Sequence, residues 1–242
     1  SMFVRSDACA STTELCDELG ISANDSNEVV LNLASIKNPQ GKELMIGLSA
    51  QVALFTSTTV KGKRGSYAKA VAAAEGGALI YACNIKTDTC YQAAPGYVTL
   101  NSRSQALEAV LAGVIEDCDV EVTLEYDDEG NIIDASGYFT LADCDVLDEM
   151  IGLGIDTMSA HHFNFLLPNL PQGEYDVYVK FQTETSARAE ARCYYENPLL
   201  GCEADDGSAT GEAHAYIGKY MMTVQGVRAV KDENGDPEVY VE

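Results

Sequence analysis

The chain has no tryptophan, only three histidines, and 15 lysines and arginines against 38 aspartates and glutamates. No stretch approaches the roughly 18 consecutive apolar residues that a membrane-spanning helix needs, so we expect no membrane span. Phosphate-binding glycine loops, dinucleotide fingerprints and the HExxH zinc motif are all absent. These absences remove the best-marked nucleotide-binding and zinc-hydrolase classes.

The balance of charge excludes another class of partner. The formal net charge is −23 and the sequence pI is about 4.2. A field of this sign repels phosphate backbones, so we expect no nucleic-acid partner. The basic cluster Lys61, Lys63 and Arg64 lies beside a glycine and predicts a turn rather than a binding patch.

Eight cysteines are the most informative feature of the 242 residues. There is no CxxC, and the spacing does not match a zinc site. Cytosolic chains seldom carry so many closely spaced cysteines, so the pattern predicts disulfides and a secreted, extracellular, periplasmic or cell-surface protein. The alternative is a cytosolic protein with some buried free thiols. Because short loops cost least to close, the favoured pairs are Cys9–Cys16, Cys83–Cys90, Cys118–Cys144 and Cys193–Cys202.

Alternation of apolar and polar residues predicts about nine to eleven strands along most of the chain. Residues 1–27 show no obvious regular element and are expected to form an arm held by its own disulfide. Residues 28–242 are expected to form a single domain. The stretches around Tyr67–Glu75 and Leu107–Val114 suit either a helix or a strand, and apolar spacing over Leu147–Met158 predicts one short helix.

Residues 161–181 have a recognisable arrangement of two strand-like segments joined by a loop. His161–Leu167 alternates, a loop ends at Gly173, and Glu174–Phe181 follows as Tyr-x-Val-x-Val. This arrangement resembles the late hairpins of extracellular Ig-like and jelly-roll β-sandwich modules. The resemblance covers about twenty residues and implies a sandwich without naming a family. The predicted fold is therefore an all-β, two-sheet antiparallel sandwich, jelly-roll or elaborated Ig-like, with one short helix and disulfides.

One local group contains the residue types of nucleophilic hydrolysis: Asp156, Ser159, His161 and His162. The Gly-x-Ser-x-Gly elbow is absent. Alternation puts His161 with the core phenylalanines and His162 on the opposite face, so packed or capping histidines are the favoured interpretation. No catalytic residue is assigned.

Calcium is the ion that best suits the acidic loops, because it binds carboxylate and carbonyl oxygens. The best candidate ligands are Asp232, Asn234 and Asp236, which place oxygens at alternate positions. They lack the glycine and terminal glutamate of an EF-hand loop, and an exposed acidic turn is the favoured interpretation. Two further acidic turns are weaker candidates: Asp127, Asp128 and Asn131; Asp205 and Asp206.

The 13 tyrosines include Tyr194 and Tyr195, inside the short loop that Cys193 and Cys202 would close. This pair is a candidate binding surface, with ordinary loop packing as the alternative. The leading hypothesis is a non-catalytic extracellular structural or binding module with a glycan or protein ligand. The alternatives are a secreted polysaccharide hydrolase or lyase, whose paired carboxylates sequence alone does not locate, and a virion or filament subunit.

Overall fold

The structure is a computed structural model that describes residues 2–39, 42–118, 121–126, 132–138, 144–193, 202–227, 230–231 and 237–238. Within this described part of the chain, no helix has both the length and the apolar character that crossing a membrane requires.

The described residues form fifteen strands and one short α-helix. Sheet A has the strand order β1-β13-β3-β11. Sheet B has the order β2-β12-β4, and both β5 and β6 pair with the remaining edge of β4. The pairs β7-β10, β8-β9 and β14-β15 lie outside these two sheets. The bounds are β1 Met2–Ser11, α1 Leu15–Leu19, β2 Asn24–Asn38, β3 Glu43–Gly62, β4 Ser66–Asn84, β5 Cys90–Gln92, β6 Val98–Leu111, β7 Val114–Cys118, β8 Glu121–Tyr126, β9 Ile132–Tyr138, β10 Cys144–Leu147, β11 Glu149–Leu167, β12 Gly173–Cys193, β13 Gly207–Val227, β14 Val230–Lys231 and β15 Pro237–Glu238.

Strand β3 shows how the sequence builds the sandwich. Its even-numbered side chains, from Leu44 to Val60, are fully or almost fully buried, while the odd-numbered residues apart from Gly47 are only partly buried. Successive residues of a strand point to opposite faces, so one face of β3 lies in the core and the other faces outward. The largest fully buried side chains from both sheets meet in this core: Tyr175, Phe165, Phe181, Leu44, Ile46, Leu48, Leu54, Ile80, Leu167 and Ile217.

The two sheets pack closely where their facing side chains are small. β4 buries four alternating alanines there, from Ala68 to Ala74, and β13 buries Ala213 and Ala215. A Cβ added to Gly211 would lie 2.5 Å from the carbonyl oxygen of Val71 on the opposite sheet. Glycine is therefore required at position 211 by the separation of the sheets.

Four disulfides brace the margins of the sandwich, with no free cysteine among the described residues. The pairing is the one that short sequence separation favoured: Cys9–Cys16, Cys83–Cys90, Cys118–Cys144 and Cys193–Cys202. The first joins β1 to α1, the second β4 to β5, and the third β7 to β10. The fourth joins the end of β12 to the segment before β13.

The predicted fold class, an all-β antiparallel sandwich with one short helix, is confirmed. The location predicted for the helix is wrong, because Leu147–Met158 belongs to β10 and β11, and the helix is Leu15–Leu19. Pairing with β3 along its whole length overrides the helical spacing of the apolar residues there. Of the two ambiguous stretches, Tyr67–Glu75 lies in β4, whereas Leu107–Val114 covers the end of β6, two residues outside any strand and the first residue of β7.

No regular element is obvious in the sequence of residues 1–27, but the structure contains a strand and the short helix there. Strand β1 pairs antiparallel with β13 and forms one edge of sheet A. The division of the chain after residue 27 stays a prediction, and that boundary falls within β2.

Candidate functional site

The outer face of sheet A carries an open cavity of about 570 Å³, called here the sheet A cavity. Its walls are outward-facing side chains of β3, β11 and β13, which are neighbours in the sheet. A mostly apolar lining with a few polar groups is typical of sites that bind small ligands. The lining residues are Gln51, Ala53, Phe55, Asp156, Met158, His214, Tyr216, Gly218 and Lys219.

A β-bulge shapes one end of the sheet A cavity. The register of β13 against β3 shifts between Gly218 and Tyr220, so Lys219 has no partner residue in the ladder. Lys219 has φ of 39°, in the left-handed region that non-glycine residues seldom occupy. Bulges redirect side chains and are frequent beside functional sites, and this one brings an exposed lysine to the cavity.

Three rings form a continuous row along the sheet A cavity. The ring centroids of Phe55 and His214 are 5.4 Å apart, and those of His214 and Tyr216 are 6.3 Å apart with nearly parallel planes. The guanidinium carbon of Arg5, on β1, lies 5.3 Å from the centroid of Tyr216. A cation over an aromatic face is an attractive arrangement, so Arg5 extends the row toward the edge of the sheet.

Asp7 on β1 anchors this row from the side. Its Oδ1 lies 2.6 Å from Nδ1 of His214, and its Oδ2 accepts a 2.5 Å hydrogen bond from Nε of Arg5. Burial raises the pKa of Asp7, but the hydrogen bonds from Arg5 and His214 outweigh burial and leave the pKa below its ordinary value. An ionised carboxylate only accepts hydrogen bonds, so Nδ1 of His214 carries the proton in this contact.

Tyr216 remains protonated at neutral pH. Burial is the main cause that raises the pKa of its hydroxyl, and the charges of Asp7 and Asp156 add to it against the opposing effect of Arg5. The hydroxyl is therefore a hydrogen-bonding group rather than a ready general base.

A second polar cluster lies on the same face, next to the sheet A cavity but outside its lining. Oγ of Ser49 is 2.8 Å from Nδ1 of His162, and Nε2 of His162 is 3.2 Å from Oδ1 of Asn164. Because an amide oxygen accepts only, Nε2 donates to Asn164 and Nδ1 accepts from Ser49. The order serine, histidine, asparagine is that of a nucleophile with its base and orienting group, although His162 and Asn164 are exposed on an open sheet.

The hydrolytic group proposed from the sequence divides between the two faces of β11. Ser159 and His161 face inward, opposite Val52 and Ala50, whereas Asp156 and His162 face outward. Spacing alone gave no reason to expect contact, yet Oγ of Ser159 lies 2.7 Å from Nε2 of His161. The four residues do not form one site, and the predicted separation of His161 from His162 is confirmed.

The outer face of sheet B holds a pair of carboxylates. Glu75 and Glu184 are directly opposite each other on β4 and β12. Thr99 donates a 2.9 Å hydrogen bond to Oε1 of Glu75, and the Tyr97 hydroxyl lies 3.4 Å from the same oxygen. Burial and the charge of Glu75 raise the pKa of Tyr97 to about 12, so Tyr97 acts as a donor. An open cavity of about 330 Å³ adjoins the pair.

Most of the other residues selected from the sequence are not brought into a described site. Tyr194 and Tyr195, the calcium candidates Asp232, Asn234 and Asp236, and the turn residues Asp127, Asp128 and Asn131 lie outside the described residues. Asp206 has a structural role, since its Oδ2 accepts from the backbone N–H of Glu203 at 2.9 Å and caps a short 3-10 turn. Among described residues, no group of three or more histidine, cysteine or acidic side chains comes together as a metal site.

The residues of the two polar clusters on sheet A are far apart in the sequence. Asp7 and His214 are 207 positions apart, and Ser49 and His162 are 113 positions apart. No motif connects either pair. The available signal was alternation, which places outward residues on one face but does not say which strands are neighbours.

No model of a known protein family matches the sequence, and comparison with curated proteins finds no match. Among solved structures, the chain was aligned with the InvG secretin domain β-barrel of the Salmonella SPI-1 injectisome base. The sequence identity is 9%, the TM-score is 0.12, and the alignment covers 64% of this chain and 64% of the other. A TM-score this low supports neither a shared fold nor a shared function.

Proposed function

We propose that this protein is an extracellular, non-catalytic binding module that binds a neutral glycan in the sheet A cavity. The observation that carries the proposal is the row of Phe55, His214 and Tyr216, which Asp7 holds in place from β1. A sugar ring has an apolar C–H face and a polar rim. Aromatic side chains commonly pack against such a face in recognition sites, and the row places three rings along the cavity.

Polar groups around the row suit the hydroxyl rim of a sugar. Gln51 and Asp156 lie along one side, and the exposed Lys219 lies at the bulge. Together they offer both donors and acceptors. A net charge of −23 repels polyanions, and this favours neutral glycans over acidic ones.

The rigidity of the row also supports binding. Both oxygens of Asp7 are already engaged, so the His214 ring and the Arg5 guanidinium beside Tyr216 are positioned before a ligand arrives. Binding to an ordered site loses less side-chain entropy than binding to a mobile one. The same engagement removes Asp7 from consideration as a free general base, which favours binding over catalysis at this site.

The extracellular location is part of the proposal. Four disulfides are typical of proteins that fold in an oxidising compartment. They link segments at the margins of both sheets, where a secreted protein gains resistance to local unfolding.

A second candidate function, polysaccharide hydrolysis, is favoured by one observation, the opposed carboxylates Glu75 and Glu184 on sheet B. Paired carboxylates are the catalytic groups of most glycoside hydrolases. This candidate uses the opposite face of the sandwich, so variants of the two faces separate the hypotheses. Release of reducing sugar that is lost in Glu184→Gln but kept in Tyr216→Ala would favour hydrolysis.

The experiment for the binding hypothesis is affinity electrophoresis through gels that contain neutral or acidic polysaccharides, followed by titration calorimetry. We expect retardation by at least one neutral glycan, and a loss of affinity of about tenfold or more in Tyr216→Ala. The matched control is Tyr178→Ala, because Tyr178 stacks on Tyr81 at 5.2 Å on the outer face of sheet B. Equal losses in both variants, or no retardation by any neutral glycan, would contradict the proposal.

A further inference from the structure

Among the residues that the structure describes, sheet A ends in an edge strand that lacks the usual protection. Strand β11 spans 19 residues and pairs with β3 on one side. On its other side, within the described part of the chain, the only backbone pairing is an isolated bridge between Leu166 and Ala94. Long edge strands present unpaired backbone groups, and natural proteins normally cover or charge them.

The bridge at Leu166 reveals which backbone groups face the open side. Leu166 donates its N–H to the Ala94 oxygen at 3.0 Å and accepts from the Ala94 N–H at 2.8 Å. The register with β3 is unbroken from Glu149 to Leu167. Because backbone groups alternate sides along an antiparallel strand, the even-numbered residues 150–164 direct their N–H and C=O groups to the open edge.

The first half of this edge, from Met150 to Met158, carries several exposed apolar side chains. Met150 is 70% exposed and Met158 is 67% exposed on the outer face of sheet A. Ile151, Leu153 and Ile155 face the inner side, yet each remains more than a third exposed, because β6 is the one described strand of sheet B in substantial contact with β11. An exposed apolar edge strand is a site for pairing with another strand.

The charge distribution points to the identity of that strand. The chain carries a net charge of −23, but β11 contains only two carboxylates, Glu149 and Asp156, and no lysine or arginine. A nearly uncharged strand pairs with another such strand without burying unpaired charge. Strand β11 of a second copy meets this requirement.

We propose that the protein dimerises by antiparallel pairing of β11 with β11 of a second copy, about a twofold axis at Thr157. This register places Met150 opposite Asn164 of the second copy and so joins every residue of the open edge from 150 to 164. It also places Asp156 opposite Met158. A register centred one residue earlier would place Asp156 opposite itself, and like charges directly opposite are destabilising.

The dimer joins two four-stranded sheets into one continuous sheet and removes the exposed edge. On the inner side, Ile151 lies opposite Phe163 of the second copy, which buries two exposed apolar side chains. On the outer side, the two sheet A cavities lie on one face. The dimer does not depend on the proposed glycan binding, since the strand edge is its only requirement.

Disulfide trapping tests the register directly. Thr157→Cys places two thiols opposite each other at a non-hydrogen-bonded pair, where Cα atoms are about 4.5 Å apart, and we expect a covalent dimer on air oxidation. The matched control is Ile155→Cys. Its thiols would be four positions apart along the strands, about 13 Å, which is too far for a disulfide. Linkage at 155 without linkage at 157 would overturn the proposal.

Sedimentation of the unmodified protein provides a test that needs no new cysteine. We expect a dimer whose fraction rises with salt, because salt screens the repulsion between two chains of charge −23. Ala160→Pro removes an N–H that faces the open edge, which an edge strand tolerates, and should give a folded monomer. Monomer at every salt concentration overturns the proposal, as does hydrogen-exchange protection of the even-numbered residues 150–164, whose N–H groups face away from β3, within a monomer.

Discussion

Two glycine substitutions give a sharp test of how closely the sheets pack. A Cβ at Gly211 would lie 2.5 Å from the backbone oxygen of Val71 and 3.3 Å from that of Arg188, and backbone moves less easily than a side chain. Overpacking of this kind costs about 1–3 kcal/mol, and the lower entropy of the unfolded alanine variant returns about 0.4–1 kcal/mol. The expected net loss in Gly211→Ala is therefore about 0–2.6 kcal/mol.

The matched control is Gly154→Ala, because no atom lies within 4 Å of a Cβ at that position. Only the entropy effect remains there, so we expect a gain of about 0.4–1 kcal/mol. The assay is urea denaturation followed by circular dichroism, without reductant and at low protein concentration to limit dimerisation. If Gly211→Ala is as stable as Gly154→Ala, the sheets are not in close contact at Val71 and the packing argument is refuted.

Three further predictions concern the core, the disulfides and the acid dependence. Phe165→Ala removes a fully buried ring and should cost about 3–5 kcal/mol by denaturant titration; a cost below 1 kcal/mol would contradict its core position. Replacing both Cys118 and Cys144 with serine opens a link between residues 26 apart and should cost about 3–4 kcal/mol by loop entropy; unchanged thermal stability would argue against that contribution. The pKa of Asp7 is lowered by folding, so its stabilisation is present at neutral pH and lost as the pH falls below about 4. Asp7→Asn should therefore lower stability at pH 7 and have a smaller effect at pH 3, and equal effects at both pH values would contradict the assignment.

The fold class followed from the sequence because alternation and short disulfide loops are local properties. The pairing of Cys83 with Cys90, for example, needs only a hairpin whose two arms are recognisable by their strand pattern. The N-terminal strand was missed because its partner, β13, lies some two hundred residues away. A short polar segment gives no local sign that it completes a sheet.

Strand β11 shows why the spacing of apolar residues predicted a helix where the structure has a strand. Met150, Ile151, Ile155 and Met158 recur at helical intervals, and both faces of the strand carry apolar residues. A half-buried strand normally alternates, but β11 lies at an edge where sheet B covers it only partly, so alternation is weak. Apolar residues on both faces of β11 hid the strand in the sequence. The same residues remain exposed in the structure and suggest that a partner strand covers them.

The sequence did not predict which residues form the candidate site, because the strands that carry them are far apart in the chain. Asp7, Phe55 and His214 belong to three different strands, and their meeting depends on the order β1-β13-β3 in sheet A. That order is a property of the whole topology. Periodicity could show only that each residue faces outward from its own strand.

The most direct test of the central claim is methionine footprinting with the neutral glycan that retards the protein most strongly. Met158 lines the sheet A cavity and is 67% exposed, while Met221 is 62% exposed on the same sheet but outside the lining. Bound glycan should slow the oxidation of Met158 by dilute peroxide and leave Met221 unchanged. Equal oxidation of Met158 with and without saturating glycan would contradict binding in this cavity.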